Sequence, residues 1–557
     1  MTSCLLSLLF FFFSSLPSAA TAAQPAGCKI RITDRGLEML KSETLKFVEE
    51  ELSNITIPEM KGKDGRFQYT ITDVKIMELN LTHADLQFYP QVGLLFDVQN
   101  SSISLSFYRR VLYWFFYDTG NINASADGVN INTVLNLIRD DEGRLKINNI
   151  TCDASIAHMR AQFSGTLGRV YDFLSTFLTS GMRFLLSQQV CLTRPTVTRL
   201  SVTRLSLIRR CVTHPSLTCL SLSHLSLTRH PLTRVLLTRL SHPSLSDPPP
   251  CYPSPSDPSV PQICPALEHA ALVHVNSMLE TIPVRTEVDG YIGIDYSLIN
   301  NPVVTSRGLD MNFRGMFFEL SNQNETLVNT AVDPVITEYE RMVYLALSEY
   351  FFDSGLLAYY RAGIFEMDIV NEKMPKDLEM LLRTTYSVAI MVQNPGLMDA
   401  PISLHLAVNV PPKTTIKTSG ATVAMKATVK VMLLPAGRPP FQLSSMTMET
   451  KFNAKVSMKG KRLAVHLDLR RFKIFSNKSA LESLALIPLQ GPLKTMLQMS
   501  VVPFINNWTK RGVQIPLADG MDFIEEVVEY HNGFIVIGAN LHFIKGLREM
   551  VAGSETD

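Results

Sequence analysis

The sequence predicts an α+β fold made of two similar halves, each a twisted antiparallel sheet wrapped on amphipathic helices. Three observations predict it. Apolar residues alternate with polar ones in long runs of both halves, as in TVAMKATVKVMLL, where Val423, Met425, Ala427, Val429, Val431 and Leu433 share one face. Helical spacing appears beside these runs in each half. The order of the pieces then repeats, and a chain of 557 residues exceeds the roughly 250–300 at which a single core stops growing.

Residues 1–23, MTSCLLSLLFFFFSSLPSAATAA, have an apolar centre from Leu5 to Phe13 followed by small residues, the outline of a signal peptide. The mature chain is therefore expected to start near Gln24 and to be secreted as a soluble extracellular protein. No later stretch reaches the ~18 uncharged apolar residues of a spanning helix, so no transmembrane anchor is expected. Eight Asn-X-Ser/Thr acceptors fit that compartment: Asn54, Asn80, Asn100, Asn123, Asn149, Asn324, Asn477 and Asn507.

The first helix, ITDRGLEMLKSETLKFVEEELSN, gathers Leu37, Leu40, Thr44, Phe47, Val48 and Leu52 on one face. Strands follow in FQYTITDVKIMELNL, VGLLFDVQNSSISLSFY and GNINASADGVNINT, with Asn, Asp and Gly at the breaks. Between them lies YRRVLYWFFYDTG. Its row of Leu112, Tyr113, Trp114, Phe115, Phe116 and Tyr117 ends at a turn placed on Asp118-Thr119-Gly120. On pattern alone this row fits equally a buried strand and an exposed apolar patch.

A helix then begins in GRVYDFLSTFLTSGMRFLLSQQ, with Val170, Phe173, Leu174, Phe177 and Leu178 at helical spacing, and resumes in ICPALEHAALVHVNSMLETIP. Residues 190–262 interrupt it with a degenerate five-residue repeat of the Thr-Arg-Leu-Ser-Leu kind and a Pro-rich tail. That period suits neither helix nor strand, and the segment reads as unstructured low complexity. Its first residue is Val, whose codons begin GT, and its last is Gln, one codon of which ends AG, so a retained intron is the preferred origin. A basic tail for nucleic acid or membrane is disfavoured, because the repeat has no lysine and no amphipathic period; no nucleic-acid partner is expected. The whole chain has 52 basic and 51 acidic residues, and without the insert's eight arginines and two aspartates 44 and 49 remain, a net charge of about −5.

Outside the signal and the insert three cysteines remain, Cys28, Cys152 and Cys264. One bridge and one free thiol are expected in an oxidising compartment. Cys152 with Cys264 is the natural pair, with Cys191 as competitor if the insert is genuine. The second half repeats the formula, with KRLAVHLDLRRFKIF as a strand and GPLKTMLQMSVVPFINNW as a late helix. The organisation expected is an N-terminal unit over residues 28–320 carrying the insert, a linker at 321–340, and a C-terminal unit over 341–550.

Catalytic signatures are missing from the text. It has no Gly-X-Ser-X-Gly elbow, no His-Glu-X-X-His and no Cys-X-X-Cys, and His269 and His274, five apart, do not align on one α-helical face. No catalytic residue, metal or cofactor is expected.

The segments ITIPEMKGKDGRFQYTITDVKI, YWFFYDTGNINASADGV, VYDFLSTFLTSGMRFLL, RTEVDGYIGIDYSLINNPVV, LDMNFRGMFFEL, ERMVYLALSEYFFDSG, LDLRRFKIFSN and SALESLALIPLQGPLKTMLQ resemble the family of bactericidal/permeability-increasing protein, lipopolysaccharide-binding protein and cholesteryl ester transfer protein. The resemblance runs from about Pro25 to about Met550, broken by the insert. It implies a boomerang of two barrels joined by a central β-sheet, each barrel with an apolar pocket for phospholipid acyl chains. It places the family's disulfide on Cys152 and Cys264, pocket lining on Met182 with Phe173, Phe177 and Leu178 on the same face, and lipoprotein docking on Tyr113, Trp114, Phe115, Phe116 and Tyr117.

Moving a phospholipid through water exposes roughly thirty methylenes, on the order of 24 kcal/mol. A carrier for it needs an apolar cavity, a mouth that meets a lipid surface, and no bond chemistry. Amphipathic aromatics suit such a surface. The function implied is transfer of bound phospholipid between lipoprotein particles in plasma, with remodelling of high-density particles; the alternative is lipopolysaccharide binding in innate immunity. Bactericidal relatives grip lipid A with a cationic tip. Here Arg109, Arg110, Lys61, Lys63 and Arg66 read as solvated loop residues within reach of phosphate headgroups, and the mild negative charge disfavours killing by charge.

Overall fold

The computed structural model describes residues 24–53, 60–64, 67–81, 83–113, 116–163, 263–323, 327–370, 373–476, 480–517 and 520–544. Residues 1–23 and the whole of 164–262, with the insert, lie outside these, as do Met182, Phe173, Phe177 and Leu178.

The chain enters through β1 (Cys28–Thr33) and turns into α1 (Asp34–Ser53), which buries Leu37, Phe47 and Val48. Six strands follow: β2 (Met60–Asp64), β3 (Phe67–Asn80), β4 (His83–Tyr89), β5 (Gly93–Tyr113), β6 (Phe116–Arg139) and β7 (Leu145–Phe163). They form one antiparallel sheet ordered β2-β3-β5-β6-β7, with β4 against β5. The three runs read as strands fall in β3, β5 and β6, and the polar and glycine residues inside the latter two mark bulges. In β5 the buried residues switch from even numbers, Phe96 and Val98, to odd ones, Ile103, Leu105 and Phe107, across a register shift at Ser101. In β6 the switch from Ile122, Ala124 and Ala126 to Val129 and Ile131 falls at Gly128, whose φ is +66°. One extra residue in each strand keeps these apolar side chains on the inner face while the sheet coils.

The helical return consists of α2 (Ile263–His269), a π turn at Ala270–Val275, and α3 (Asn276–Glu280). The π turn overturns the expectation for the histidines: with about one residue more per turn, His269 and His274 meet edge to face with centroids 5.2 Å apart. Asn276 closes the open edge of β7, accepting from Ile147 N and donating to Ile147 O, both at 2.9 Å. A disulfide joins Cys152 of β7 to Cys264 of α2. Cys28 is the free cysteine among the described residues; it is buried, and that burial pushes its thiol well above its ordinary value.

Next come β8 (Arg285–Glu287), β9 (Ile292–Asp295), β10 (Val303–Val304), β11 (Gly308–Phe313), β12 (Met316–Glu319) and β13 (Val343–Ser348). Between β12 and β13 the described residues carry no regular element. The second half adds α4 (Glu349–Arg361), β14 (Glu366–Ile369), α5 (Lys376–Gln393), β15 (Ile402–Val408), β16 (Lys413–Lys417), β17 (Gly420–Leu433), β18 (Phe441–Lys459) and β19 (Arg462–Phe475). Then follow α6 (Ala480–Ala485), α7 (Ile487–Met496), a π turn at Leu497–Val501, α8 (Val502–Thr509), β20 (Val513–Gln514), β21 (Met521–Tyr530) and β22 (Phe534–Phe543). The late helix expected as one piece runs through α7, the π turn and α8 with right-handed helical backbone at both junctions; the π turn precedes Pro503, a residue that lacks the amide a regular ladder needs. The C-terminal sheet runs β14-β15-β17-β18-β19-β20 and encloses a separate core including Leu378, Leu404, Val431, Leu433 and Leu489.

A third sheet draws on both halves in the order β10-β11-β1-β13-β22-β21. Arg31 of β1 sits within it, its Nε and Nη2 donating to Asp310 at 2.6 and 2.7 Å and its Nη1 to Ile336 O at 2.8 Å. The bond to Asp310 outweighs burial and raises the guanidinium's proton affinity. Removing one partner of a buried pair leaves the other charge uncompensated. Asp310→Asn is accordingly expected to lower stability by about 3–5 kcal/mol, measured as a shift of the denaturant unfolding midpoint.

Candidate functional site

The inner faces described above surround a cavity of about 380 Å³. Leu40, Thr44, Phe47 and Val48 of α1 form one wall, and Leu94, Phe96, Leu135, Leu137 and Ile147 of the sheet another. Leu267, Ala270, Ala271 and Met278 of the α2–α3 return face them, and Ile30, Met311 and Phe523 of the shared sheet form the floor. Four of the six residues that periodicity placed on the face of α1 thus line the cavity. Among the lining residues Arg144 carries a charge, and most of the others are apolar. Void volume costs about 24 cal/mol per Å³, so a hollow of this size left unfilled would forfeit on the order of 9 kcal/mol of packing. Its size lies in the range of small-molecule sites, and its walls suit a hydrocarbon guest.

A neighbouring hollow of about 270 Å³ shares Ile282, Pro283, Tyr296, Pro516 and Leu517 with this cavity. Tyr296 closes part of the boundary, donating its hydroxyl to Gln514 O at 2.9 Å. Burial, helped by Cys28, pushes that phenol well above its usual value, so it stays neutral at the cavity wall.

Far along the same sheet, β5 and β6 form a hairpin in which Tyr113 pairs with Phe116 and Leu112 with Tyr117. Trp114 and Phe115 lie outside the described residues, and of Tyr113 and Phe116 the backbone alone is described. The reversal falls between Tyr113 and Phe116, so Asp118, Thr119 and Gly120 are not the turn. They belong to β6, opposite Val111, Arg110 and Arg109. The apolar row was read as a strand end followed by a turn because Asp-Thr-Gly carries turn propensity. Leu112 and Tyr117 face outward, 39% and 65% exposed, and give this end of the sheet an apolar outer surface.

Arg109 is also not a loop residue. It occupies an inward position of β5 between Phe107 and Val111, 2% exposed, with Nη2 2.9 Å from Asp118 Oδ2 across the hairpin. Arg110 and Lys61 are exposed, while the side chains of Lys63 and Arg66 lie outside the described residues. Of the glycosylation acceptors Asn80, Asn100, Asn123, Asn149 and Asn507 are exposed, whereas Asn54, Asn324 and Asn477 lie outside the described residues. No helix among the described residues is long and apolar enough to cross a membrane.

The fold and the cavity define an α+β protein with an apolar chamber lined mainly by its N-terminal half and floored by the shared sheet. Residues 36–198 match the N-terminal domain of the LBP / BPI / CETP family and residues 286–543 its C-terminal domain, and the chain belongs to this family. It is 47% identical to phospholipid transfer protein of Homo sapiens over 546 residues, covering 98% of this chain and 96% of that one. The phospholipid transfer protein of Mus musculus is 44% identical, with 98% and 95% covered. Lipopolysaccharide-binding protein of Homo sapiens is 24% identical, with 97% and 98% covered. A crystal structure of lipopolysaccharide binding protein superposes with a TM-score of 0.53 at 19% identity, covering 94% of this chain and all of that one.

Proposed function

We propose that this protein is a secreted, non-enzymatic phospholipid carrier that takes a lipid's acyl chains into the apolar cavity and moves them between lipoprotein particles in plasma, high-density particles among them. The observation that carries the reading is the cavity, built from the inner faces of α1, β4–β7 and the α2–α3 return. The 96% coverage of a phospholipid transfer protein and the 47% identity to it support it. No resident cofactor is part of the reading; the bound molecule is cargo. Docking is assigned to Tyr113, Trp114, Phe115, Phe116 and Tyr117, and extra cavity wall to Met182, Phe173, Phe177 and Leu178. Exposed apolar surface of the kind shown by Leu112 and Tyr117 marks interaction sites.

The test is to compare, with the same purified chain, movement of labelled phospholipid between vesicles and affinity for lipopolysaccharide. Transfer well above the spontaneous rate, with lipopolysaccharide bound weakly, is the expected result. Tight lipopolysaccharide binding without transfer would replace the reading by lipopolysaccharide recognition.

A further inference from the structure

The hairpin joining β21 to β22 carries a cluster that the cavity does not use. Its turn is tightly held: His531 N donates to Phe534 O at 2.9 Å, Gly533 N to Ile416 O at 3.0 Å, and Glu349 N to Gly533 O at 3.0 Å. Gly533 takes the turn at φ +89°. The His531 ring stacks on Phe534 at 5.0 Å and 9°, which fixes the direction of its Nε2. That nitrogen is sealed from solvent and has no hydrogen-bond partner, an arrangement that costs free energy unless something is bound there.

Two carboxylates converge on it. Glu529, near the end of β21 and two residues before His531, brings Oε2 to 4.0 Å from Nε2. Glu338 arrives from the connection between β12 and β13, oriented by Thr337, whose amide and hydroxyl donate to its oxygens at 3.1 and 2.7 Å. Arg31, the cation whose field reaches Glu338, is already engaged by Asp310.

We propose that Glu338, Glu529 and His531 form a binding site for a zinc ion. One donor atom from each lies within 4.8 Å of the others. Zinc bonds of about 2.0–2.2 Å at tetrahedral angles place donors roughly 3.3–3.6 Å apart, so a closure of about 1 Å by the two glutamate side chains completes three protein ligands and leaves a position for water. An imidazole nitrogen with two carboxylates matches the N/O preference of zinc, whereas calcium takes six to eight oxygens and no imidazole. The two negative charges balance the ion. Zinc bound there would fasten the segment between β12 and β13 to the last hairpin of the shared sheet.

The test is zinc titration of the full chain by calorimetry, with melting temperature read in parallel. His531→Phe keeps a ring on Phe534 and removes the nitrogen, and Glu338→Gln keeps the shape of the acid. The four histidines and four cysteines within residues 190–262 make the difference between proteins, rather than the absolute count, the quantity of interest. The wild type is expected to bind one more zinc equivalent than His531→Phe, to melt several degrees higher with zinc, and to be indifferent to calcium. Glu338→Gln is expected to weaken that equivalent tenfold or more. Failure of zinc to bind or to stabilise the wild type would overturn the proposal. So would an unchanged equivalent and affinity in Glu338→Gln, a conservative change that tests the site even if His531→Phe does not fold.

Discussion

Replacing Trp114, Phe115 and Phe116 together by alanine is expected to cut phospholipid transfer between particles by tenfold or more while leaving the unfolding transition nearly unchanged. Full burial of each ring in a lipid surface is worth about 1.5–3 kcal/mol. Insertion to half that depth would give the three together about 2–4 kcal/mol, or roughly 30- to 1000-fold in docking affinity. The fold does not depend on this end of the hairpin to the same degree. The β5–β6 ladder continues for its full length behind it, and the neighbouring pair Leu112 and Tyr117 already stands in solvent. Transfer assays and flotation with lipoprotein particles check the prediction. A variant that melts much earlier while its folded fraction still docks normally would remove the aromatic edge from the mechanism.

Filling the cavity should separate carrying from docking. Ala271 lines the chamber from the α2–α3 return and is partly buried. Ala271→Trp places an indole where acyl chains would lie. Overpacking of this kind typically costs about 1–3 kcal/mol, which a domain of this size tolerates. The expected result is a folded protein that still floats with lipoprotein particles, carries little phospholipid on extraction, and transfers at no more than a tenth of the wild-type rate. The aromatic variant should show the reverse pattern, loaded with lipid but poorly docked. Normal lipid content and transfer in Ala271→Trp would mean that the chamber is not the carrying site.

The strands were legible because each keeps an apolar inner face, and α1 was legible because Leu40, Thr44, Phe47 and Val48 repeat at helical spacing. What periodicity could not carry was the effect of one inserted residue. Asn100 and Gly128 lie inside the runs read as strands, and with φ of +49° and +66° they let β5 and β6 continue with parity exchanged. The hairpin turn was misplaced for a similar reason, since turn propensity favours Asp-Thr-Gly and tells nothing of an aromatic reversal. The cavity wall from Leu94, Leu135, Ile147 and Ala271 was missed because these residues look like ordinary core; the inner parity of each strand was the available signal. The meeting of His269 and His274 was hidden by the π turn. Helices α4 and α5 went unassigned; in α5 Leu378, Leu382 and Ile390 are fully buried, but the exposed Met380, Val388, Met391 and Val392 blur the contrast between its faces.

The position of β1 has a consequence for biogenesis. The first strand to leave the ribosome lies between β11 and β13, and β13 needs β22, near the end of the chain, for its other edge. Contacts of such long sequence separation form slowly, so the amino-terminal strand must wait through most of translation before its sheet can close. A product that stopped before Phe534 would leave β13 as an open ladder, an invitation to pair with another copy, and cellular quality control would meet it as an aggregating chain rather than as a shortened carrier.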